Sequence, residues 1–147
     1  SDLKAGQAID RVGVMLSLNF PAGPELEKLS EKSNAVFKIK PSMKNTDCSL
    51  SGVENKCKKM LTENYEKSDI ALFCIDSVIA ALDGMYKALM PKYGALPVVF
   101  SGGVTSNKRI KNYFCDKYNA VFAEPAFSAD NAAGTAVLSS IMYDRRK

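Results

Sequence analysis

The stretch that most restricts the fold is 69–89. Ile70, Ala71, Leu72, Phe73, Ile75, Val78, Ile79 and Leu82 cover almost the whole circumference of a helix there. A helix that is apolar all round belongs at the centre, so the rest of the chain has to be arranged around it. Ser68 is its expected N-cap, with Asp69 adding negative charge to the first turn. Cys74, Asp76 and Ser77 interrupt the apolar run from Ile70 to Leu82, which is too short to span a membrane. No membrane partner is therefore expected, and the reduced cysteines of a chain without secretory features point to the cytoplasm. The 147 residues, 46% hydrophobic, suit one domain over 1–147 that buries roughly two-thirds of its unfolded surface.

The flanking segments can be read by the same periodicities. Ala5 to Leu18 has helical spacing, and Asn19-Phe20-Pro21-Ala22-Gly23-Pro24 stops it. Pro24 suits the first turn of a second helix, running through Leu26 and Leu29 to about Lys32. Val36 to Ile39 is expected as a short edge strand ended by Pro41, and Cys48 to Gly52 as another. A short helix follows near Glu54 to Asn64. After the central helix come a strand at Leu96 to Phe100, a helix from about Ser106, a strand at Asn119 to Phe122 and an Ala/Gly-rich helix ending near Tyr143. Helix, strand, helix, strand, helix is the pattern of an α/β sheet with crossover helices.

The chain has no histidine. That removes Ser-His-Asp triads, Cys-His nucleophiles and His-ligated metals built from this chain alone. Cys48, Cys57, Cys74 and Cys115 show no C-x-x-C spacing and read as reduced cysteines. The net charge of +4 permits an anionic ligand without demanding one. It is clustered at Lys38/Lys40/Lys44, Lys56/Lys58/Lys59, Lys108/Arg109/Lys111 and Arg145/Arg146/Lys147, where a solvated face is the plain alternative.

Four motifs could carry chemistry. Ser101-Gly102-Gly103-Val104, with Asn107 one turn on, lies between a strand and a helix, where bare backbone can approach a phosphate. The alternative is a tight turn whose glycines only supply dihedrals. Asp130 in Asp130-Asn131-Ala132-Ala133-Gly134 is either a helix N-cap or a carboxylate facing a metal. Asp10, mid-helix beside core positions, points to a polar partner or to a solvent-facing ion pair. Ser49 and Ser51 place hydroxyls at alternating strand positions, or simply end a strand.

Together with Phe20-Pro21-Ala22-Gly23-Pro24, these blocks resemble the Gcp/TsaD glycoprotease family in order and spacing. Gly6-Gln7-Ala8-Ile9-Asp10-Arg11-Val12 is similar to the family's G-E-A-F-D-K-V, and Phe20 to Pro24 to its Y-P-G-G-P. Cys48 to Val53 is similar to S-F-S-G-L, Ser101 to Asn107 to G-G-V-x-x-N, and Ser128 to Ala133 to C-x-D-N-A-A. Gln7, Arg11, Ala22, Glu54 and Gly134 depart from the family pattern. The role best supported for the family, historically named O-sialoglycoprotein endopeptidase, is transfer of a threonylcarbamoyl group to an adenosine in the tRNA anticodon loop.

The resemblance implies the actin-like, Hsp70-like ATPase (ribonuclease-H-like) fold. This chain would be its second, C-terminal lobe, an α/β mixed sheet with helices on both faces. The lobe that carries the paired metal-binding histidines would be missing. The chain also lacks a starting Met, so an excised or processed piece is expected. Carried over, Asp10, Gly23 and Asn107 would contact an adenine nucleotide or threonylcarbamoyl-adenylate. Gly102 and Gly103 would pass close to its phosphate, and Asp130 would be a ligand of an iron or zinc ion shared with the missing lobe. No catalytic residue is assigned, and the isolated chain is expected to be inactive. Expected partners are the N-terminal lobe, a TsaB-like paralogue and tRNA, held weakly by the basic clusters if the blocks beside them line one cleft. The alternative is a non-catalytic interaction module like the family's inactive paralogue. The order of the blocks argues against a sugar- or acetate-kinase relative.

Overall fold

The computed structural model describes residues 3–124. Helices α1 (Ala5–Met15), α2 (Gly23–Ser30), α3 (Ser51–Thr62) and α5 (Lys108–Tyr118) surround α4 (Lys67–Tyr93). Every one of them contacts α4. Its Ile70, Ala71, Leu72, Cys74, Ile75, Val78 and Ile79 are buried, as the apolar circumference requires. Burying each large aliphatic side chain among them contributes about 1.5–3 kcal/mol. Among the described residues no helix is long and apolar enough to cross a membrane.

The helix starts differently from expectation. Glu66, not Ser68, is the N-cap, without a side-chain cap bond. The first turn is tied down from outside instead. Lys67 Nζ donates to the carbonyl of Leu16, closing the end of α1 at 3.0 Å, and Asp69 accepts from the Ser33 hydroxyl. At the other end Gly94, at φ +76°, donates its N–H to Met90 and ends the helix.

The strands are shorter than expected and differently placed. Val36 to Ile39 is irregular: Val36 is exposed, while Phe37 packs edge-on against Phe73 at 5.3 Å between ring centroids. The hairpin forms later, from β1 (Ser42–Lys44) and β2 (Asp47–Ser49), antiparallel with Met43 opposite Cys48. Two features select this position. Asn45 takes the left-handed conformation a two-residue turn needs, and Pro41 precedes the first strand instead of ending it. Met43 then packs on Gly84 of α4, where an added Cβ would stand 2.8 Å from its sulfur.

The second sheet is a parallel pair, β3 (Val99–Phe100) with β4 (Val121–Phe122), crossed over by a 3-10 turn (Gly103–Ser106) and α5. Phe100 meets Phe114 and Phe122 at 4.8 and 4.9 Å, fixing α5 on one face of the pair. The fold is thus α/β. Among the described residues, however, the strands form two separate two-stranded sheets and not one mixed sheet. The helix expected to end near Tyr143 lies outside the described residues.

A polar cluster fixes α5 to α4. Asp83, almost wholly buried, accepts from Lys117 Nζ at 2.8 Å and from the Tyr118 hydroxyl at 2.6 Å, and pairs with Lys87. Burial raises the Asp83 carboxyl, but the bonds from Lys117, Lys87, Tyr118 and Tyr113 outweigh it and hold the group well below the usual range. The Asp83 bond in turn raises Lys117, and burial followed by the same carboxylate pushes Tyr118 up to about 12. On the opposite side of α4, the Cys74 thiol is raised by its hydrogen bond with Cys57 and by complete burial, and both cysteines are free and buried in the core.

Candidate functional site

Three segments meet at one cavity of about 400 Å³. The first half of α1 contributes Gly6, Ile9 and Asp10. The turn into α2 contributes Pro21, Gly23 and Pro24. The 3-10 turn and the start of α5 contribute Gly103, Val104, Ser106 and Asn107. Four residues singled out in the sequence, Asp10, Gly23, Gly103 and Asn107, therefore share a wall. Gly102 does not line it but sets the turn that does. Asp130 lies outside the described residues.

Each polar member of this wall also has a structural bond. Asp10 Oδ1 accepts the Ala22 N–H at 2.9 Å and so holds the Phe20–Gly23 turn onto α1. The turn contains a cis Phe20–Pro21 peptide. Asn107 is the N-cap of α5, its Oδ1 accepting from the Ile110 N–H at 3.1 Å. The polar partner expected for mid-helix Asp10 is thus a backbone amide. Each group keeps a second polar atom, Asp10 Oδ2 and Asn107 Nδ2, with which it could meet a ligand.

The glycines separate into two kinds. Gly102 has φ +112°, a conformation that only glycine adopts readily, so the turn itself explains it. Gly103 and Gly23 do not lie in the left-handed region, and a Cβ added to either would meet nothing within 4 Å. Neither dihedral nor packing requires glycine at these two positions, and both line the cavity.

Glu27 is a cavity residue that sequence reasoning missed. Its Oε1 accepts the Lys108 N–H at 2.7 Å and adds a second carboxyl-type acceptor to the start of α5. The contact spans 81 positions along the chain, and no local pattern announces it.

The Lys56/Lys58/Lys59 and Lys108/Arg109/Lys111 clusters border different cavities. Lys108 and Arg109 border a broad groove of about 970 Å³, where Arg109 grips Asp76 with bonds of 2.6 and 3.1 Å. Ser49 and Gly52 border a third cavity, and the Gly-Gly block borders the first. The two blocks beside these lysines, which would hold tRNA only if they lined one cleft, thus face different cavities.

Among the described residues no three Cys, Asp or Glu side chains come together as a metal site, and the chain has no histidine to add. The described donor set does not fit a metal.

Residues 1–137 match the TsaD family, described as tRNA N6-adenosine threonylcarbamoyltransferase. A tRNA N6-adenosine threonylcarbamoyltransferase of Kosmotoga olearia is 30% identical over 99% of this chain and 46% of its own length. One from Thermococcus sibiricus is 32% identical over 75% of this chain and 34% of its own. One from Prosthecochloris aestuarii is 28% identical over 99% of this chain and 49% of its own. The chain thus spans about half the length, or less, of these curated relatives. The match extends from the α1 block through the Gly-Gly turn to residue 137, and the chain belongs to the TsaD family.

Proposed function

We propose that this chain is the nucleotide-holding half of a TsaD-type transferase. It would be the second lobe of the family's ribonuclease-H-like, actin-like fold, and it would bind the adenylate end of an activated threonylcarbamoyl donor. The observation that carries the reading is the pair of glycines, Gly23 and Gly103, that line the 400 Å³ cavity without any conformational or packing need to be glycine. Bare backbone facing a cavity is what close approach of a phosphate or ribose requires. The volume lies in the range of small-molecule sites.

In this reading Gly103 lets the phosphate approach the turn after β3, at the carboxyl end of a parallel strand, where α/β folds hold their ligands. Asp10 Oδ2 and Asn107 Nδ2 bind the ribose or base. The bonds from Asp10 to Ala22 and from Asn107 to Ile110 hold both side chains in place before the ligand arrives. Any metal would draw its ligands from Asp130 and from the rest of the full-length protein. The tRNA substrate named for the relatives is a weak, salt-dependent partner of this half.

Calorimetry of the full-length protein with AMP tests the reading. Gly103→Ala is expected to weaken binding by roughly tenfold, the effect of one misplaced methyl in a close-fitting site, while leaving the melting temperature unchanged or slightly higher. Equal affinity in wild type and variant, or no binding alongside self-association, would favour the non-catalytic interaction module.

A further inference from the structure

Both carbonyl groups of the glycine pair beside the Asp10–Asn107 cavity are held by hydroxyls three residues further on. Thr105 Oγ1 donates to the Gly102 carbonyl at 2.6 Å, and the Thr105 N–H donates to the same oxygen at 3.1 Å. Ser106 Oγ donates to the Gly103 carbonyl, also at 2.6 Å. Ser106 is exposed and lines the cavity, whereas Thr105 is buried and does not. The Gly102 carbonyl would keep a partner without the Thr105 hydroxyl, since the Thr105 N–H already reaches it. The hydroxyl therefore does more than satisfy a buried acceptor.

Its effect lies at the other end of the same peptide unit. The Gly102–Gly103 peptide is trans and planar, so its N–H points away from its C=O. Two donors from Thr105 draw that carbonyl into the turn, which turns the Gly103 N–H outward. No described residue accepts from this N–H. Gly103 lines the cavity, and a Cβ there would meet nothing within 4 Å, so the amide is not shielded by a neighbouring side chain. The described lining residues include Asp10 and Glu27 but no lysine or arginine. A phosphate at this wall therefore depends on N–H donors, and a peptide flipped to present its carbonyl oxygen would repel it.

We infer that Thr105 is a positioning residue for the nucleotide: its buried hydroxyl holds the Gly102–Gly103 peptide so that the Gly103 N–H faces the phosphate. The inference rests on the nucleotide reading above and adds to it the side chain that aims the phosphate donor.

The test is calorimetric titration of the full-length protein with AMP and, separately, with adenosine, which has no phosphate. Thr105→Val keeps the branched shape and removes the hydroxyl. It is expected to weaken AMP roughly tenfold, the lower end of what one hydrogen bond to a charged group contributes, and to leave adenosine unchanged. Thr105→Ser restores the hydroxyl and with it the affinity for AMP. In the wild-type protein the Gly103 amide proton resonance moves downfield on adding AMP and stays in place on adding adenosine. A wild type that binds neither ligand removes the nucleotide reading and this inference with it. Binding of AMP by wild type and by Thr105→Val with equal affinity overturns the role of Thr105 alone. So does a Thr105→Val variant that loses AMP and adenosine equally, because the hydroxyl would then support the cavity as a whole. A Gly103 resonance that AMP leaves unmoved has the same consequence.

Discussion

At the α1–α2 corner, a methyl group added to Gly13 would collide with the Cβ of Ala22, which is itself fully buried. At the β3–α5 corner, a methyl added to Gly103 would meet no heavy atom within 4 Å. Both residues stand beside a sharp change of chain direction, yet they are small for opposite reasons. Gly13 makes room for another part of this chain. Gly103 leaves room that no described residue fills. Glycine alone therefore says little about function until the space around it is known.

The contrast can be broken most forcefully at Gly13. Gly13→Ala is expected to destabilise the protein by about 2–4 kcal/mol through overpacking, measured by urea denaturation. Adding Ala22→Gly should restore most of that loss, so the double-mutant cycle gives a large coupling. Additive losses would show that the two residues do not share this space. Gly102→Ala is next, at about 1–3 kcal/mol, because the residue would be forced into a conformation only glycine occupies readily.

Asp83→Asn tests whether the β3–α5 corner is held rigidly on α4. The expected loss is about 1–2 kcal/mol at neutral pH, the scale of hydrogen bonds to a charged group. Because the native carboxyl is held below its ordinary value of about 3.9, its contribution is complete above that pH and is lost as pH falls through and below it. Acid unfolding curves of wild type and variant should therefore converge toward low pH, and a constant separation would contradict the arrangement. The smallest change is at Gly103→Ala, within about 0.5–1 kcal/mol and of stabilising sign if the turn accepts alanine. A loss as large as that at Gly102 would erase the distinction between the two glycines.

Much of this was legible in the residues themselves. The apolar circumference of α4 set the architecture, and α1, α2, α3 and α5 came from periodicity and turn residues to within a few positions. Asp10, Gly103 and Asn107 stand in local patterns, Gly23 follows only from the family resemblance, and the four converge on one cavity. The strands were harder. Val36 to Ile39 has the composition of an edge strand, but Phe37 turns onto Phe73 and the hairpin settles where Asn45 can make the turn. Tertiary contact decides such short segments, and their propensity does not. Glu27 was not legible for a different reason, since its bond to Lys108 joins segments with no common local pattern. The Gly13–Ala22 fit was equally hidden: the sequence shows an alanine departing from the family's Gly-Gly, and only the packing shows the glycine that accommodates it.

Because α4 touches every other described helix, its hydrogen bonds cannot open one neighbour at a time. Amide protons of residues 70–79 should exchange with solvent only through complete unfolding, and so report the global stability of the molecule directly. The two-residue strands β3 and β4, with Val99 and Val121 exposed, have no such protection on that face and should exchange through local opening many times faster. The cavity spans both regimes. Its Asp10 wall is carried by a helix that packs directly on α4, and its Gly103 wall by a turn that begins at the end of β3. The first wall is therefore expected to open only with the whole protein, and the second to open locally many times more often.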